Sequence, residues 1–388
     1  VISDVAVVGA GPAGCWAAYQ LARKGARVVL IDGSHPREKP CGGGVTGRAL
    51  ALISSAVDVG RIPASVIRSV HFLSSDSSSG DAVIPLENSA SREPLIVASR
   101  REFDGHLLGA ARAAGAEVVP SSAIDVERSG HGFVVRTRQG SLAARVLIGA
   151  DGANSLVRRR FARPFPRSDL SIATGYFAHG ASSQDIVVEL TADPPGYFWS
   201  FPRPTHLAIG ICAQADAGIT AARLRARTRA WIDRVRIAAG ARLEPYSWPI
   251  PSLSASAFEG LTSACDRCLL VGDAAGLVDP ITREGIYFAL LSAEWAAEAV
   301  ASTDPAAAAR YGQRVRDEIA ADLALAARYK AGFFRPRFSR LMIDALRESA
   351  AVRRVMADLV AGRQAYGDLR WRLMKTLEWR IAWRWLLA

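Results

Sequence analysis

The chain has 388 residues, of which 50% are hydrophobic and 22% charged, with only five cysteines. These proportions exclude a disordered, collagen-like or disulfide-framework protein and predict a soluble globular chain of two domains, or one domain with a large insertion. The formal charge is +11, and residues 331–388 alone hold 12 Arg/Lys against 5 Asp/Glu. No run of 18 uncharged apolar residues occurs, so no membrane-spanning helix is expected. Val1-Ile2-Ser3-Asp4 lacks the basic start of a signal peptide, and the absent initiator Met points to trimming. Sparse cysteines without framework spacing point to a reducing, cytoplasmic compartment.

Residues 4–9 read as a short buried strand ending at glycine, 12–24 as a helix with small residues on its packing side, and 27–32 as a second strand. This βαβ unit opens an α/β domain. Residues 34–47 form a Gly/Pro-rich loop, and 74–93 are Ser-rich loops and edge strands. A helix is expected over 101–114, with strands over 116–120, 132–138 and 144–149. Between 156 and 258 the texture changes to strands (186–190, 197–201, 206–212) with Pro-containing turns and one Arg-rich helix near 219–239. This reads as an antiparallel layer on the substrate side. A buried strand returns at 268–272, a helix follows near 285–300, and the chain is Ala/Arg/Leu-rich and helical from 305.

Three motifs carry chemistry. Gly9-x-Gly11-x-x-Gly14 follows a strand and opens a helix, and Asp32 stands eighteen residues after Gly14 at the end of the next strand. Gly9 permits the tight turn, and Gly11 lets the backbone approach a pyrophosphate seated on the helix N-terminus. Asp32 is placed for a ribose and would repel a 2′-phosphate, which favours FAD or NAD over NADP. Gly149-Ala150-Asp151-Gly152 and Leu270-Val271-Gly272-Asp273 each place an aspartate just past a buried strand. Asp273 suits a ribityl chain. The helix from Gly285 can point its amides at a flavin edge that gains negative charge on reduction.

In this order the motifs resemble the FAD-dependent oxidoreductases related to aromatic hydroxylases. Two further segments narrow the likeness. Lys39-Pro40-Cys41-Gly42-Gly43-Gly44 is similar to the signature loop of the geranylgeranyl reductase family. Pro195-Gly196-Tyr197-Phe198-Trp199-Ser200-Phe201-Pro202 resembles that family's aromatic Tyr-x-Trp-x-Phe-Pro motif. Arg100-x-x-Phe103-Asp104 also fits, and the likeness covers residues 1 to about 300. It implies a Rossmann-like FAD domain (1–70, 95–155 and 260–304) with an inserted antiparallel-sheet substrate domain (71–94 and 156–259). Residues 305–388 form a helical C-terminal region. It implies FAD contacts at Gly9, Gly11, Ala13, Gly14, Asp32, Cys41, Gly42, Gly44, Arg100, Asp273, Gly285 and Ile286, and at Ile124 by spacing after Arg100. The implied reaction saturates C=C bonds of an isoprenoid chain, with hydride from reduced flavin N5. The reductant is NAD(P)H or a low-potential donor.

Read without the family, the glycines after Cys41 make a loop that can lie flat against a ring system. The Cys41 thiol either donates a proton, tunes the flavin or only fills space. Lys39 pairs with cofactor phosphate or is solvated. Tyr197, Trp199 and Phe201 share one strand face and make either a pocket wall or ordinary core. Cys41, Tyr197 and Trp199 are therefore the candidate catalytic residues. Arg283 and Glu284 touch substrate or flavin phosphate, or simply charge a helix N-terminus. Cys265-x-x-Cys268 has no companion pair and the six His have no ligand spacing, so no metal site is proposed.

In the tail, Trp371, Trp379, Trp383 and Trp385 interleave with Arg370, Arg372, Lys375, Arg380 and Arg384. A helix over 367–388 at the inner membrane surface and a helix packed across the FAD domain both fit. No nucleic-acid motif accompanies the charge, so nucleic acid is set aside. Nothing in the sequence fixes the oligomeric state. Two rival functions stay open: an NAD(P)H-dependent aromatic monooxygenase, and an FAD-binding electron-transfer protein at the membrane surface.

Overall fold

A computed structural model of the protein describes residues 2–74, 80–86, 94–130 and 132–376. The opening βαβ unit is the strand Ile2–Val8, the helix Pro12–Arg23 and the strand Val28–Ile31. Val5 to Val8 and Val28 to Ile31 are all buried. Their runs are apolar without alternation because a central parallel strand is covered on both faces. Among the described residues this sheet has eight strands. Its parallel part runs Cys268–Leu270, Gly140–Gly149, Ile2–Val8, Val28–Ile31, Glu117–Val119. The meander Ala123–Ser129 and Gly132–Thr137 joins the long strand antiparallel.

Register decides what this sheet can hold. Val8 pairs with both Gly149 and Ile31, and Gly149 pairs with Leu270. The turns after three of these strands therefore leave the same carboxyl edge, where open α/β sheets bind ligands. They carry Gly9, Asp151 and Asp273, and Asp32 ends the fourth.

Among the described residues the second sheet has seven strands, in the order Arg242–Pro251, Leu170–His179, His206–Gln214, Pro195–Pro202, Ile186–Ala192, Ser69–Leu73, Ala82–Pro85. It is antiparallel except where Ser69–Leu73 lies parallel to Ile186–Ala192. One face packs on the helix Ala221–Val235, through Trp231 and Ile232 against Leu207 and Ile209. Polar Arg side chains on that helix's other positions stay outward, so the Arg-rich sequence is an ordinary amphipathic stripe. A small third sheet is made of Gly44–Val45, Ile96–Ala98 and Ala64–Val66, with Ile96–Ala98 in the middle.

After the helix Ile286–Ala301, the C-terminal region runs through Ala307–Arg314, a π-helical turn Val315–Ala320 and Ala321–Phe333. Pro336, which fits a first helical turn, opens Pro336–Glu348, and Ala350–Val360 and Tyr366–Lys375 follow. Met342, Ile343 and Leu346 bury themselves against Val70, Phe72 and Ile84 of the second sheet. No helix among the described residues is long and apolar enough to cross a membrane. On the last helix Trp371 is 65% and Met374 62% exposed. The expectation placed on Trp379, Trp383 and Trp385 lies outside the described residues. Cys265 and Cys268 face each other across a two-residue hairpin as free thiols.

Lys330 ties this region to the second sheet, donating to Gln214 Oε1 (2.5 Å) and Ser252 Oγ (2.7 Å). Burial, reinforced by nearby Arg283, pushes its amine down to about 7, against weaker pull from Asp216 and Asp169. The unfolded chain thus binds a proton there that the folded chain lacks between about pH 7 and the ordinary lysine pKa. Stability contributed by this site rises with pH through that window and is flat below it. Urea denaturation from pH 7 to 10 should show this slope for wild type and a smaller one for Lys330→Met. Equal slopes would refute it.

Candidate active site

The carboxyl edge of the first sheet, the glycine loop and one face of the second sheet enclose a single cavity of 520 Å³. That is within the size range of small-molecule sites. At its nucleotide end Gly9 has φ +102°, a left-handed conformation, and a Cβ there would lie 2.4 Å from the Ala150 carbonyl oxygen. Gly11 is different: only His35 Nε2, at 3.9 Å, approaches the place of its missing side chain. The backbone there is open to a ligand. The helix Pro12–Arg23 has no side-chain cap at Gly11, and the helix Ile286–Ala301 has none at Gly285. Two helix N-termini thus present uncapped amides to one cavity.

Asp32 closes this end. Its carboxylate accepts from Ala10 N (2.9 Å), Ser34 N (2.7 Å), His35 N (2.9 Å) and His35 Nδ1 (2.8 Å). Burial pushes its pKa up, but the His35 hydrogen bond and charge and the backbone amides outweigh this and hold it well below the usual carboxylate range. Asp32 is anionic at any physiological pH.

Arg100 opens the helix Arg100–Ala113 and lines the cavity. It is buried, and makes a bidentate pair with Asp104 one turn later, Nε to Oδ1 at 2.9 Å and Nη2 to Oδ2 at 2.8 Å. Burial pulls the guanidinium pKa down, yet Asp104 more than restores it, so the charge is retained. Lys39 Nζ pairs with Asp273 Oδ2 at 3.0 Å, both about one-fifth exposed. This places the glycine loop beside the third motif. Asp151 lines the cavity, but its carboxylate caps the short helix Leu156–Phe161 by accepting from Leu156 N (2.6 Å) and Val157 N (3.2 Å). Burial pushes its carboxyl up, against these bonds and one from Ser155.

At the other end Tyr197, Trp199 and Phe201 line the cavity from alternate positions of Pro195–Pro202. The rings of Tyr197 and Trp199 are 5.9 Å apart, and Tyr197 Oη donates to the Thr282 carbonyl at 3.1 Å. Burial pushes the Tyr197 phenol well above its ordinary pKa, so it stays protonated. Cys41 Sγ accepts from Gly43 N at 3.3 Å. Beside the aromatic wall the lining includes the apolar side chains of Val70, Phe72, Ile186 and Leu190 from the sheet and Met356 and Leu359 from the C-terminal helices.

Gly9, Gly11, Ala13, Asp32, Cys41, Gly42, Gly44, Arg100, Tyr197, Trp199, Asp273, Gly285 and Ile286 all line this cavity. Gly14 does not. A Cβ there would meet the Gly9 carbonyl oxygen at 1.8 Å, so this glycine serves the close approach of helix to turn. Ile124 does not either: its side chain is 55% exposed, while Ser122 and Ala123 beside it line the cavity. On the strand that starts at Ala123 the next side chain, that of Ile124, turns out, so only the backbone at 124 is left to meet a ligand. Glu284 lines the cavity and is held by Thr46 Oγ1 (2.7 Å) and by Arg48. Arg283 also lines it, with φ +63°, and its guanidinium donates to Ser252.

Three groups were not singled out from sequence. Arg37 stacks over Trp248 with 4.6 Å between guanidinium and ring centroid. Tyr366 Oη donates to the Asp279 carboxylate at 2.9 Å and so bolts the loop before Gly285 to the last helix. Arg203, fully buried, binds the Cys41 loop. Only for Arg203 was there a nearby signal, its place directly after the aromatic Phe-Pro motif.

The open backbone at Gly11, the paired anion-attracting helix ends and a glycine strip facing an aromatic wall fit a flavin dinucleotide. The family model described as "FAD binding domain" matches residues 3–302. The menaquinone reductase of Mycolicibacterium smegmatis is 30% identical over 98% of this chain and 97% of its own length. The digeranylgeranylglycerophospholipid reductase of Methanothrix thermoacetophila is 30% identical over 83% and 85%. A geranylgeranyl bacteriochlorophyll reductase-like protein from Thermoplasma acidophilum, 22% identical, shares the fold with a TM-score of 0.80 over 97% of this chain and 99% of that one. With a family match over most of its length and relatives of this identity and coverage, the chain belongs to the geranylgeranyl reductase family of FAD-dependent oxidoreductases.

Proposed function

We propose that the protein saturates C=C bonds of a polyprenyl chain. The observation that carries this reading is the continuity of one cavity from the dinucleotide turn to a cluster of apolar side chains, Val70, Phe72, Ile186, Leu190, Met356 and Leu359, beside the aromatic residues. Such a cluster suits an isoprenoid tail better than a polar aromatic ring. The relatives named above act on different head groups, menaquinone and a glycerophospholipid in the printed names, and a prenyl chain is the part such substrates share.

FAD, when bound, supplies a hydride to one carbon of the double bond. The chain's residues do the rest. Gly9, Gly11 and Ala13 would hold the pyrophosphate, Asp32 the ribose, and Asp273 and Arg100 the linker to the ring. The amides at Gly285 and Ile286 would hold the ring edge where negative charge gathers on reduction. Cys41 provides the proton for the second carbon. Its sulfur accepts the Gly43 N–H, which leaves the S–H free and steadies the thiolate after transfer; solvent then returns the proton. Tyr197 is the weaker donor, since its O–H is committed to the Thr282 carbonyl. Trp199 and Phe201 hold the chain against the ring and exclude water.

The test is anaerobic. The FAD-loaded protein is reduced with dithionite and given a geranylgeranyl lipid or a prenylated quinone, and products are weighed by mass spectrometry. Gains of two hydrogens per double bond are expected, with Cys41→Ala slower by about 10²-fold. An unaltered prenyl chain, with NAD(P)H and O₂ consumed together once an aromatic compound is added, would replace this reading with the hydroxylase one.

A further inference from the structure

Arg203 is a fully buried charge near the cavity, with a side chain 0% exposed, yet it does not line the cavity. All three of its nitrogens are engaged. Nη2 donates to the Cys41 carbonyl at 2.6 Å and Nε to the Gly42 carbonyl at 3.5 Å. Nη1 reaches the Glu38 carboxylate and, at 3.4 Å, His206 Nε2. The guanidinium also lies over the Phe177 ring, 5.0 Å from its centroid. Burial, then the charge of Arg203, pushes His206 down to about 4. The imidazole is neutral at physiological pH and accepts this bond. Glu38 is fixed in turn by Ser99 Oγ and by Arg100 N at 3.1 Å.

The loop is clamped from its other sides as well. A Cβ on Gly42 would enter the Phe201 ring at 2.9 Å, and Gly43, at φ +89°, lies against the Ala98 carbonyl. Ala98 N donates to the Gly43 carbonyl at 3.0 Å. Glycines alone give such a loop no preferred orientation. Two successive carbonyls, those of Cys41 and Gly42, are turned to Arg203. A trans peptide is planar, with N–H opposite C=O. Turning the Cys41 carbonyl to Arg203 therefore turns the Gly42 N–H the other way, and Gly42 lines the cavity.

We propose that Arg203 is a positioning residue: it holds the Cys41–Gly42 peptide with its donor edge toward the flavin and its carbonyls away from it. A carbonyl turned to the ring would oppose the negative charge that a reduced flavin carries; an N–H favours it. Glu38 anchors the guanidinium, and the Phe-Pro motif delivers it from the substrate sheet. This rests on the FAD reading, but the loop geometry is testable without the cofactor.

Lysine at 203 keeps the charge beside Glu38 but cannot span two carbonyls. Arg203→Lys is thus expected to keep most of the melting temperature. In FAD-free protein its Cys41 should alkylate with iodoacetamide about tenfold faster or more, read by peptide mass spectrometry, because at least one of the two charge-assisted bonds to the loop is lost. With FAD, its flavin absorbance band should shift and its midpoint potential fall. Glu38→Gln retains both carbonyl bonds and is expected to alkylate at the wild-type rate. In the wild type, hydrogen exchange at the Gly42 amide should slow about tenfold or more when FAD is added. Unchanged alkylation and potential in Arg203→Lys, or Gly42 exchange unaffected by bound FAD, would overturn the proposal. Failure of the wild type to bind FAD would instead sink the cofactor reading and leave the alkylation result to decide on the loop.

Discussion

Gly14→Ala is expected to yield a protein that loses FAD on desalting and melts well below wild type. The added methyl would sit 1.8 Å from the Gly9 carbonyl oxygen and 3.2 Å from the Ala150 Cβ. Both belong to turns that must stay where they are for the cavity to exist. The helix Pro12–Arg23 has to back away from the turn, which carries its N-terminus away from the pyrophosphate position. Overpacking of this kind costs about 1–3 kcal/mol, and a clash with backbone belongs at the upper end. Gly25→Ala is the control. Gly25 has φ +84° but nothing within 4 Å of its missing Cβ, so its cost is the backbone conformation alone, about 1 kcal/mol. Flavin absorbance after gel filtration and the melting temperature check both variants. If Gly14→Ala retains FAD as Gly25→Ala does, Gly14 is not the packing glycine of a dinucleotide fold.

Arg100→Ala should be the most destabilising polar substitution near the cavity. It removes both hydrogen bonds to Asp104, whose side chain is 0% exposed. His35 Nε2 stands 3.6 Å from that carboxylate, beyond a good hydrogen bond, and a single imidazole N–H does not replace a bidentate guanidinium. Breaking a buried pair from one side costs about 3–5 kcal/mol, because a charge is left without compensation, whereas replacing both partners by apolar groups is often nearly neutral. The double variant Arg100→Leu with Asp104→Leu should therefore recover most of the loss in urea denaturation at pH 7. It should still bind FAD more weakly than wild type, since Arg100 faces the cavity. Equal destabilisation of single and double variants would show that the pair is not what Arg100 contributes.

These two substitutions touch parts of the site that were legible before any fold was known, because both lie within local motifs. Gly14 is read from its spacing to Gly9 and Gly11. Arg100 and Asp104 lie one helical turn apart. The aromatic wall was legible for a similar reason: residues two apart on a strand share a face, so Tyr197, Trp199 and Phe201 had to act together. Ile124 marks the limit of this kind of reading. The spacing after Arg100 reaches the right segment, since Ser122 and Ala123 line the cavity, but it does not say which side chain turns inward, and that of Ile124 is exposed.

Sequence alone determined the βαβ unit, the strand-end aspartates, the glycine loop and the family, because each is written in short spacings or continuous apolar runs. Tertiary structure decided what those pieces do together. The register Val8–Gly149–Leu270 brought the motifs to one edge. Arg203 met Glu38 across 165 positions and Tyr366 met Asp279 across 87. The C-terminal helices, readable only as Ala- and Arg-rich, supplied Met356 and Leu359 to the apolar end of the cavity. Contacts between distant residues leave no period in the chain. They are set by how sheets and helices bury their apolar faces against one another, and that packing is settled only when the whole chain folds.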